Sequence, residues 1–238
     1  MIAFIVKSFS YDFKEETDFL VRKYPDIVSV ILNLNDRDTN VILGTEERIL
    51  YGRDYIEDIY DGIKVHLSLK SFYQVNHGQM LKLYAQIKDK ANVSKDDRIL
   101  DLYCGIGTIS LYMARYAREV TGVEIVEEAI INANENAKIN SIDNVSFVLA
   151  DASKNMDTYM QDKDIVIVDP PRKGLSKELI YSIIQNKIEK IIYVSCNPIT
   201  LARDLKLLRE YYEISEIQPV DMFPFTVHCE SVTSLKRK

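Results

Sequence analysis

From about residue 72 onward, short apolar strands alternate with amphipathic helices, and this alternation constrains the fold more than any other feature of the sequence. The predicted strands are 98–102, 119–124, 145–149, 165–168 and 190–195. The segments between these strands have helical spacing. Such segments can serve as the crossover helices that parallel neighbours in a sheet need. The pattern predicts an α/β fold around a mostly parallel sheet, with ligands expected at the carboxyl ends of the strands.

The first 70 residues have a different pattern, rich in strands and with a single helix. Residues 2–9 are a predicted strand and residues 14–23 a predicted helix. Apolar runs at 28–34 and 40–43 flank a polar turn, which predicts a β-hairpin. A small α+β domain is therefore expected ahead of the α/β domain.

The charge balance excludes some classes of protein. The formal net charge is -6 and the pI is about 5.2, whereas proteins that bind nucleic acid through phosphates are usually basic. Any nucleic-acid binding must therefore rest on a local patch or on a partner domain. No run of about 18 apolar residues predicts a membrane span, and the apolar start reaches Lys7 without a cleavage site. A cytoplasmic location without membrane contact is expected.

The three cysteines, Cys104, Cys196 and Cys229, are too few for a disulfide framework and form no CxxC pair. No metal site and no iron–sulfur cluster is expected from this chain.

The first strand of the α/β region contains Asp101 and leads into a turn with two glycines, Gly105 and Gly107. Glycines there let the backbone approach a ligand closely. Glu124 ends the next strand, where it could accept both ribose hydroxyls of an adenosine. Asp151 follows the third strand, where it could bind the adenine amino group. The missing third glycine of GxGxxG favours adenosylmethionine over a nicotinamide cofactor, and an ordinary turn with chance acids is the remaining alternative.

The fourth strand ends in Asp169 and continues through Pro170 and Pro171 to Arg172. Two prolines stiffen the backbone and hold the preceding residue extended. A stiff loop with exposed carbonyls is suited to binding a planar base. A purely structural turn would show the same residues.

Cys196 lies between the end of the fifth strand and a helix that Asn197 caps and Pro198 begins. The helix dipole favours a thiolate at this position, and Arg203 could add positive potential. A buried, unreactive thiol is the alternative. Farther along the chain, Glu230 precedes the last strand and is a candidate base, with His228 as an alternative.

Together these segments resemble the RNA uracil-5-methyltransferase family, whose enzymes make 5-methyluridine in tRNA and 23S ribosomal RNA. The matching segments are 71–76, 101–107, 169–174, 195–204 and 223–230, in the family's order. The segment around Cys196 is the most specific of them and the glycine turn the least.

The resemblance implies a class I methyltransferase fold: a Rossmann-like, mostly parallel seven-stranded sheet with a small α+β N-terminal domain. Residues 1–70 would form part of a strand-rich, RNA-facing central domain, and residues 71–238 the catalytic domain. The implied S-adenosylmethionine site is lined by Gln74, Tyr103, Gly105, Thr108, Glu124, Asp151 and Asp169. Phe72, Pro170 and Arg172 would contact the substrate, with Phe72 against a base extruded from the RNA.

The implied chemistry uses Cys196 as a covalent nucleophile. Carbon 5 of uracil is a poor nucleophile, and thiolate addition at carbon 6 turns the ring into an enolate that can be methylated at carbon 5. Glu230 would then remove the carbon 5 proton. The methyl donor S-adenosylmethionine would leave as S-adenosylhomocysteine.

The chain departs from the family pattern at several points. Phe225 stands where members usually have His or Gln, and Cys229 where they have Val or Ile. The usual N-terminal OB-like domain and iron–sulfur cysteines are not seen, so a truncated member or a fragment is expected, which would account for the acidic balance. The low-cysteine, Lys- and Ile-rich composition resembles members from Gram-positive bacteria, which favours 23S ribosomal RNA over tRNA.

Two other functions fit the same residues. One is methylation of a nitrogen or oxygen atom, with Cys196 only structural. The other is an inactive chain that binds the cofactor without RNA. The sequence does not indicate the oligomeric state.

Overall fold

A computed structural model describes residues 1–238 as two compact units. The first unit contains Met1–Ile59 and Val65–Ser71, and the second contains Tyr60–Lys64 and Phe72–Lys238. None of the helices combines the length and the apolar character needed to cross a membrane.

The first unit is built on a three-stranded sheet and one helix. Its elements are β1 (Ile2–Val6), α1 (Lys14–Lys23), β2 (Ser29–Leu34) and β3 (Glu46–Gly52). Strand β2 lies in the middle, parallel to β1 and antiparallel to β3, and it is the most buried of the three. Next in the chain comes a hairpin of β4 (Tyr55–Tyr60) and β5 (Ile63–Ser68), whose residues Tyr60–Lys64 belong to the second unit. Asp61 and Gly62 connect its strands with positive φ angles of 45° and 79°, as a two-residue hairpin turn requires.

The predicted hairpin at residues 28–43 is wrong in its second strand. Strand β2 does pair with an antiparallel partner, but that partner is β3, and residues 40–43 lie in the connecting loop. Side-chain amides hold this loop: Asn35 Nδ2 donates to the carbonyl oxygens of Val41 (2.7 Å) and Ile42 (2.8 Å). The Gly44 N–H donates to Asn33 Oδ1 at 2.7 Å. Polar side chains thus satisfy backbone groups that the prediction assigned to a sheet ladder.

The second unit alternates strands and helices. Its elements are α2 (His77–Ala91), β6 (Arg98–Leu102), α3 (Thr108–Ala114), β7 (Glu119–Glu124), α4 (Glu127–Ile139), β8 (Val145–Leu149), α5 (Asp157–Met160), β9 (Ile165–Val168), α6 (Lys177–Gln185), β10 (Lys190–Ser195), α7 (Pro198–Leu208), β11 (Tyr212–Ile214), β12 (Gln218–Val220) and β13 (Glu230–Arg237).

One large sheet runs through this unit in the order β11–β13–β10–β9–β6–β7–β8, with β12 also paired to β13. Strands β6 to β10 are parallel and β13 is antiparallel to β10, which confirms the α/β fold with a mostly parallel sheet. The predicted seven positions are present, but the position beside β13 is shared by β11 and β12. Between them the Ser215 hydroxyl accepts a hydrogen bond from the Ser234 N–H, which interrupts the regular ladder.

The strand order fixes where a ligand can bind. After β6 the chain adds β7 and β8 on one side and then β9 and β10 on the other, so the order reverses between β6 and β9. Such a reversal leaves a crevice at the carboxyl ends of the two central strands. Leu102 of β6 pairs with Val168 of β9, both fully buried, so the loops that begin at Tyr103 and Asp169 leave the sheet side by side.

Candidate active site

The glycine turn after β6 has a tightly constrained backbone. Tyr103 has a φ of +67°, unusual for an aromatic residue, and its N–H donates to the Val123 carbonyl at 2.9 Å. Gly107, at +81°, is the residue immediately before α3, and a Cβ there would lie 2.5 Å from Cζ of Phe147. Gly105, at +55°, has no atom within 4 Å of a notional Cβ. The turn is therefore packed against the protein at Gly107 and open at Gly105.

Glu124 braces this turn from the end of β7. Its Oε2 accepts from the Gly105 N–H at 3.1 Å, and its Oε1 accepts from the N–H groups of Ile125 (2.8 Å) and Val126 (3.0 Å). The carboxylate is half-buried and satisfied by three backbone donors. In the free protein its hydrogen bonds fix the glycine turn to the end of β7, and the carboxylate can still contact a ligand.

Asp101, one residue before the end of β6, is fully buried. The Ser110 hydroxyl donates to its Oδ2 at 2.5 Å, while its Oδ1 has no partner. Burial raises the pKa of this carboxyl to about 7, and the charges of Asp169 and Glu124 add to the shift while the Ser110 hydrogen bond opposes it. A buried acceptor without a donor is costly, so Oδ1 is suited to receiving a donor from a ligand.

Asp151 follows β8 but lines neither of the cavities described below. Its Oδ1 accepts from the hydroxyl (2.6 Å) and the N–H (3.0 Å) of Ser153, and Lys154 lies 3.5 Å from its Oδ2. The two hydrogen bonds from Ser153 are the main cause of its lowered pKa. Its predicted contact with adenine stays a prediction.

A small cavity of about 50 Å³ lies over the glycine turn. It is lined by Phe72, Tyr73, Gln74, Tyr84, Tyr103, Cys104, Gly105, Ile106, Thr108, Ile109 and Asp169. Two buried polar atoms of this lining, Gln74 Oε1 and the Tyr103 hydroxyl, have no hydrogen-bond partner. Burial raises the pKa of Tyr103 to about 12, so the hydroxyl stays protonated and can donate.

The loop after Asp169 is held by helix α7. Arg203 donates from Nη2 to the carbonyls of Lys173 (2.9 Å) and Leu175 (3.2 Å), and its guanidinium pairs with Asp204 at 2.8 Å. The other oxygen of Asp204 accepts from the Leu175 N–H at 2.9 Å and the Tyr193 hydroxyl at 2.8 Å. Arg203 is thus engaged with the loop and with Asp204, which corrects the expectation that it adds positive potential at Cys196.

Asp169 itself is half-buried, and removal from water raises its pKa to about 6. Pro170 behind it is buried, while Pro171, Arg172 and Lys173 are exposed. The Arg172 carbonyl accepts from Asn197 Nδ2 at 3.1 Å, which ties this loop to the helix start beside Cys196.

Cys196 follows β10, and Asn197 caps α7 through a hydrogen bond from the Ile199 N–H to its side chain. The thiol is half-buried and its pKa is raised, first by burial and then by the negative charges of Glu230 and Asp169. The expected bias toward thiolate is therefore wrong for the free protein, because two nearby carboxyls and burial outweigh the helix start and Arg172.

Glu230 is brought to Cys196 by strand pairing. In the antiparallel ladder of β10 and β13, Ser195 pairs with Ser231, so Cys196 and Glu230 are the residues that come next on the two strands. Glu230 is 5% exposed and its Oε2 has no hydrogen-bond partner. Burial, with a further contribution from Asp169, raises its pKa to about 7. A carboxyl with this pKa can exchange a proton near neutral pH.

A larger cavity of about 460 Å³ opens between these groups. It is lined by Phe72, Gln74, Tyr103, Asp169, Pro170, Pro171, Arg172, Cys196, Phe223, His228 and Glu230. Four of these residues also line the small cavity: Phe72, Gln74, Tyr103 and Asp169. The structure thus brings the sequence-predicted residues together on two adjoining cavities, with Glu124 behind the glycine turn and Asp151 outside.

Some lining residues were not predicted as site residues. Phe223 lies in the matched segment before Glu230, and Tyr84 lies on α2, where no motif marks it. The Tyr84 hydroxyl donates to Thr108 Oγ1 at 2.8 Å, and the Tyr60 hydroxyl donates to the Thr108 carbonyl at 2.7 Å. Both tyrosines are buried and hold the start of α3 in place. No group of three or more His, Cys, Asp or Glu side chains is arranged to hold a metal ion.

Comparison with known proteins gives a consistent result. The family model described as tRNA (uracil-5-)-methyltransferase matches residues 31–238. An uncharacterised RNA methyltransferase of Oceanobacillus iheyensis is 43% identical over 100% of this chain and 53% of its own length. One of Halalkalibacterium halodurans is 46% identical over 90% of this chain and 48% of its own length. The chain spans about half the length of these relatives.

Among solved structures, the Pyrococcus abyssi tRNA (uracil-54, C5)-methyltransferase in complex with S-adenosyl-L-homocysteine superposes with a TM-score of 0.82. It is 33% identical, and the match covers 98% of this chain and 55% of that protein. A wild-type Trm5b from the same organism shares the fold at a TM-score of 0.64 and 15% identity. These matches confirm the class I methyltransferase fold and the resemblance drawn from the sequence.

Proposed function

The chain belongs to the tRNA (uracil-5-)-methyltransferase family, and on that premise we propose that it methylates carbon 5 of a uracil in RNA, with S-adenosylmethionine as donor. One observation carries the proposal. Cys196 follows Ser195 and Glu230 precedes Ser231, its partner on the adjacent strand, and both side chains line one cavity, so a nucleophile and a base face the same space. An RNA methyltransferase that transfers the methyl group to a nitrogen or oxygen atom does not need a cysteine nucleophile paired with a carboxylate base.

The residues around the small cavity fit the proposed cofactor. Gln74 Oε1 is a buried acceptor without a donor, and the Tyr103 hydroxyl is a buried donor without an acceptor; both residues line the small cavity. The amino acid part and the ribose of S-adenosylmethionine carry complementary groups. At Gly105 the open space lets a ligand approach the backbone. Further proposed contacts come from Thr108, Glu124, Asp151 and Asp169. When bound, the cofactor supplies an electrophilic methyl group.

Cys196 begins the proposed reaction. Its sulfur adds to carbon 6 of the uracil, the electrons of the carbon 5–carbon 6 double bond move into the carbonyl as an enolate, and carbon 5 becomes nucleophilic. The thiol must first give up its proton to solvent, which the negative charges of the neighbouring carboxylates oppose. Addition of the thiolate to carbon 6 of a bound uracil removes thiolate from the ionisation equilibrium. The addition therefore drives further ionisation of the thiol, although its pKa is raised.

Glu230 completes the reaction as the base. After methylation, carbon 5 still carries a proton; Glu230 takes it, the double bond re-forms and the carbon 6–sulfur bond breaks. A carboxylate is needed for this step, and with a pKa of about 7 a large fraction of Glu230 is ionised at neutral pH. His228 also lines the cavity, but it is exposed and Arg172 Nη2 lies 3.0 Å from both its ring nitrogens, so Glu230 is the better base.

The remaining cavity residues would hold the base. Phe72, 72% exposed, is placed to contact its ring, and the Asp169–Pro170 segment offers a rigid edge. Arg172 is exposed at the same cavity and can reach a phosphate. Residues 1–70 are proposed to form an RNA-facing domain, and we place the protein in the cytoplasm.

For the RNA itself we propose 23S ribosomal RNA, with tRNA as the alternative. The low-cysteine, Lys- and Ile-rich composition supports the first choice. The family model and the Pyrococcus abyssi protein, both named for tRNA, support the second. Unmodified 23S fragments and unmodified tRNA, offered side by side with labelled S-adenosylmethionine, separate the two.

The test of the mechanism is Cys196→Ala, which should abolish label transfer to either RNA. Cys229→Ala is the matched control, because Cys229 is adjacent to Glu230 but lines neither cavity. Transfer undiminished in Cys196→Ala would leave the thiol structural and favour methylation at nitrogen or oxygen. Calorimetric binding of S-adenosylmethionine without transfer to any RNA would instead favour an inactive, cofactor-binding chain.

A further inference from the structure

Phe225 is a wholly exposed aromatic residue held in an unfavourable backbone conformation. Its side chain has a relative exposure of 107%, and its φ is +67°, a region that bulky residues rarely adopt. Neither burial nor backbone preference explains a phenylalanine at this position. Strained, exposed residues of this kind concentrate at functional sites.

The turn that carries Phe225 is fixed by hydrogen bonds. The Thr226 hydroxyl donates to the Phe223 carbonyl at 2.7 Å, and the Thr226 N–H donates to the same oxygen at 3.2 Å. The His228 N–H donates back to Thr226 Oγ1 at 3.1 Å. Phe223 and His228, which flank the turn, both line the larger cavity. The ring of Phe225 is therefore presented outward at the rim of that cavity.

The charges around the cavity dictate which part of a nucleotide enters it. Asp169 and Glu230 line the interior and repel a phosphate, whereas Arg172 lines the same cavity as an exposed cation and Lys173 follows it. A neutral base can therefore enter while its phosphates stay outside near the cations. The bases next to it along the strand would then lie outside the cavity, within reach of exposed side chains around its opening.

We propose that Phe225 is a stacking platform for the base adjacent to the target uridine in single-stranded RNA. The proposal rests on the proposed function, because it takes the target base to occupy the larger cavity. Val227, 95% exposed and two residues farther on, extends the same apolar rim. Stacking on an exposed ring is tolerant of sequence, since every base has a π face.

The test is the affinity for a fluorescein-labelled single-stranded oligoribonucleotide containing one uridine, measured by anisotropy at low salt. Phe225→Ala should weaken binding roughly 5- to 100-fold, as expected for loss of one base–aromatic stack. Phe225→Trp should keep the affinity. Phe225→Gly suits the left-handed backbone, so it should fold at least as well as wild type and still bind weakly. An abasic site next to the uridine should abolish the difference between wild type and Phe225→Ala.

Tyr181→Ala is the matched control, because Tyr181 is an exposed aromatic residue on α6 that lines neither active-site cavity. It should leave RNA affinity unchanged. Equal affinity of wild type and Phe225→Ala, or no RNA binding by wild type, would overturn the proposal. A change in sedimentation of Phe225→Ala without a change in RNA affinity would assign the ring to contact with a second copy of the chain. If wild type binds RNA with the expected dependence on Phe225 but transfers no methyl group, only the proposed reaction fails.

Discussion

The two sides of the crevice use the same residue type in opposite ways. On the β7 side, Glu124 accepts three backbone hydrogen bonds and braces the glycine turn. On the β13 side, Glu230 is buried with one oxygen unpaired and a pKa of about 7. Both glutamates lie at the same edge of the sheet, one at the end of a parallel strand and the other at the start of an antiparallel one.

The difference teaches what each side is built for. Three backbone donors fix the position of the Glu124 carboxylate, which suits holding a ligand. An unpaired buried carboxyl is costly in stability but can take and release a proton near neutral pH. The braced side is proposed to hold the cofactor, and the unsatisfied side to perform the proton transfer.

Exchanging each glutamate for glutamine should produce the largest contrast. Glu230→Gln should lower turnover by about 10²- to 10⁴-fold, because the base is lost. It should also accumulate a covalent RNA–protein adduct, seen as a slow band on a denaturing gel. Glu124→Gln leaves an amide facing backbone donors, so it should raise the KM for S-adenosylmethionine while turnover at saturation stays near wild type. Similar loss of turnover in both variants, without an adduct, would contradict the assignment of different roles to Glu230 and Glu124.

A smaller effect, on the free energy of unfolding, should come from adding a methyl group to a glycine of the turn that Glu124 holds. Gly107→Ala places a carbon against the Phe147 ring at a φ of +81° and should cost about 2–4 kcal/mol of unfolding free energy. Gly105→Ala adds only the backbone term, about 1 kcal/mol, because no atom lies within 4 Å. Urea denaturation measures both. Equal destabilisation would show that packing against Phe147 does not hold the turn.

The smallest effects concern the ionisation of Glu230 and Cys196, which changes with pH. Glu230 must be ionised to act as the base, so turnover should rise as pH increases through about 7.

The Glu230 carboxylate also raises the pKa of Cys196, so Glu230→Gln should lower that pKa and speed alkylation of Cys196 by iodoacetamide several-fold at pH 8. Cys229→Ala removes the neighbouring thiol from the measurement. An alkylation rate unchanged by Glu230→Gln would show that the two groups do not interact.

The central strands of the second unit could be predicted from the sequence because β6, β9 and β10 are buried along almost their whole length and are rich in apolar residues. Strands β3 and β4 escaped prediction for the opposite reason. Strand β3 is almost entirely exposed and begins with charged residues, so it carries no apolar alternation. Helix α5 has only four residues, too few for a periodic signal.

Many of the residues that line the two cavities could be predicted one by one from the sequence, but their arrangement could not. Cys196 and Glu230 each belong to a segment that indicates chemistry, yet their adjacency depends on the register of β10 and β13, which no local pattern states. The electrostatics were also missed. The position of Cys196 at a helix start predicted a thiolate, whereas its raised pKa depends on carboxyls at residues 169 and 230, which are distant in sequence.

Strand β13 is the last strand in sequence order but lies inside the sheet, between β10 and β11. Cys196 and Glu230, the proposed nucleophile and base, are therefore adjacent only while this strand is inserted beside β10. Detachment would also leave β10 as a bare edge with a row of free N–H and carbonyl groups. The proposed reaction would therefore be confined to molecules in which β13 has been inserted and the sheet is complete.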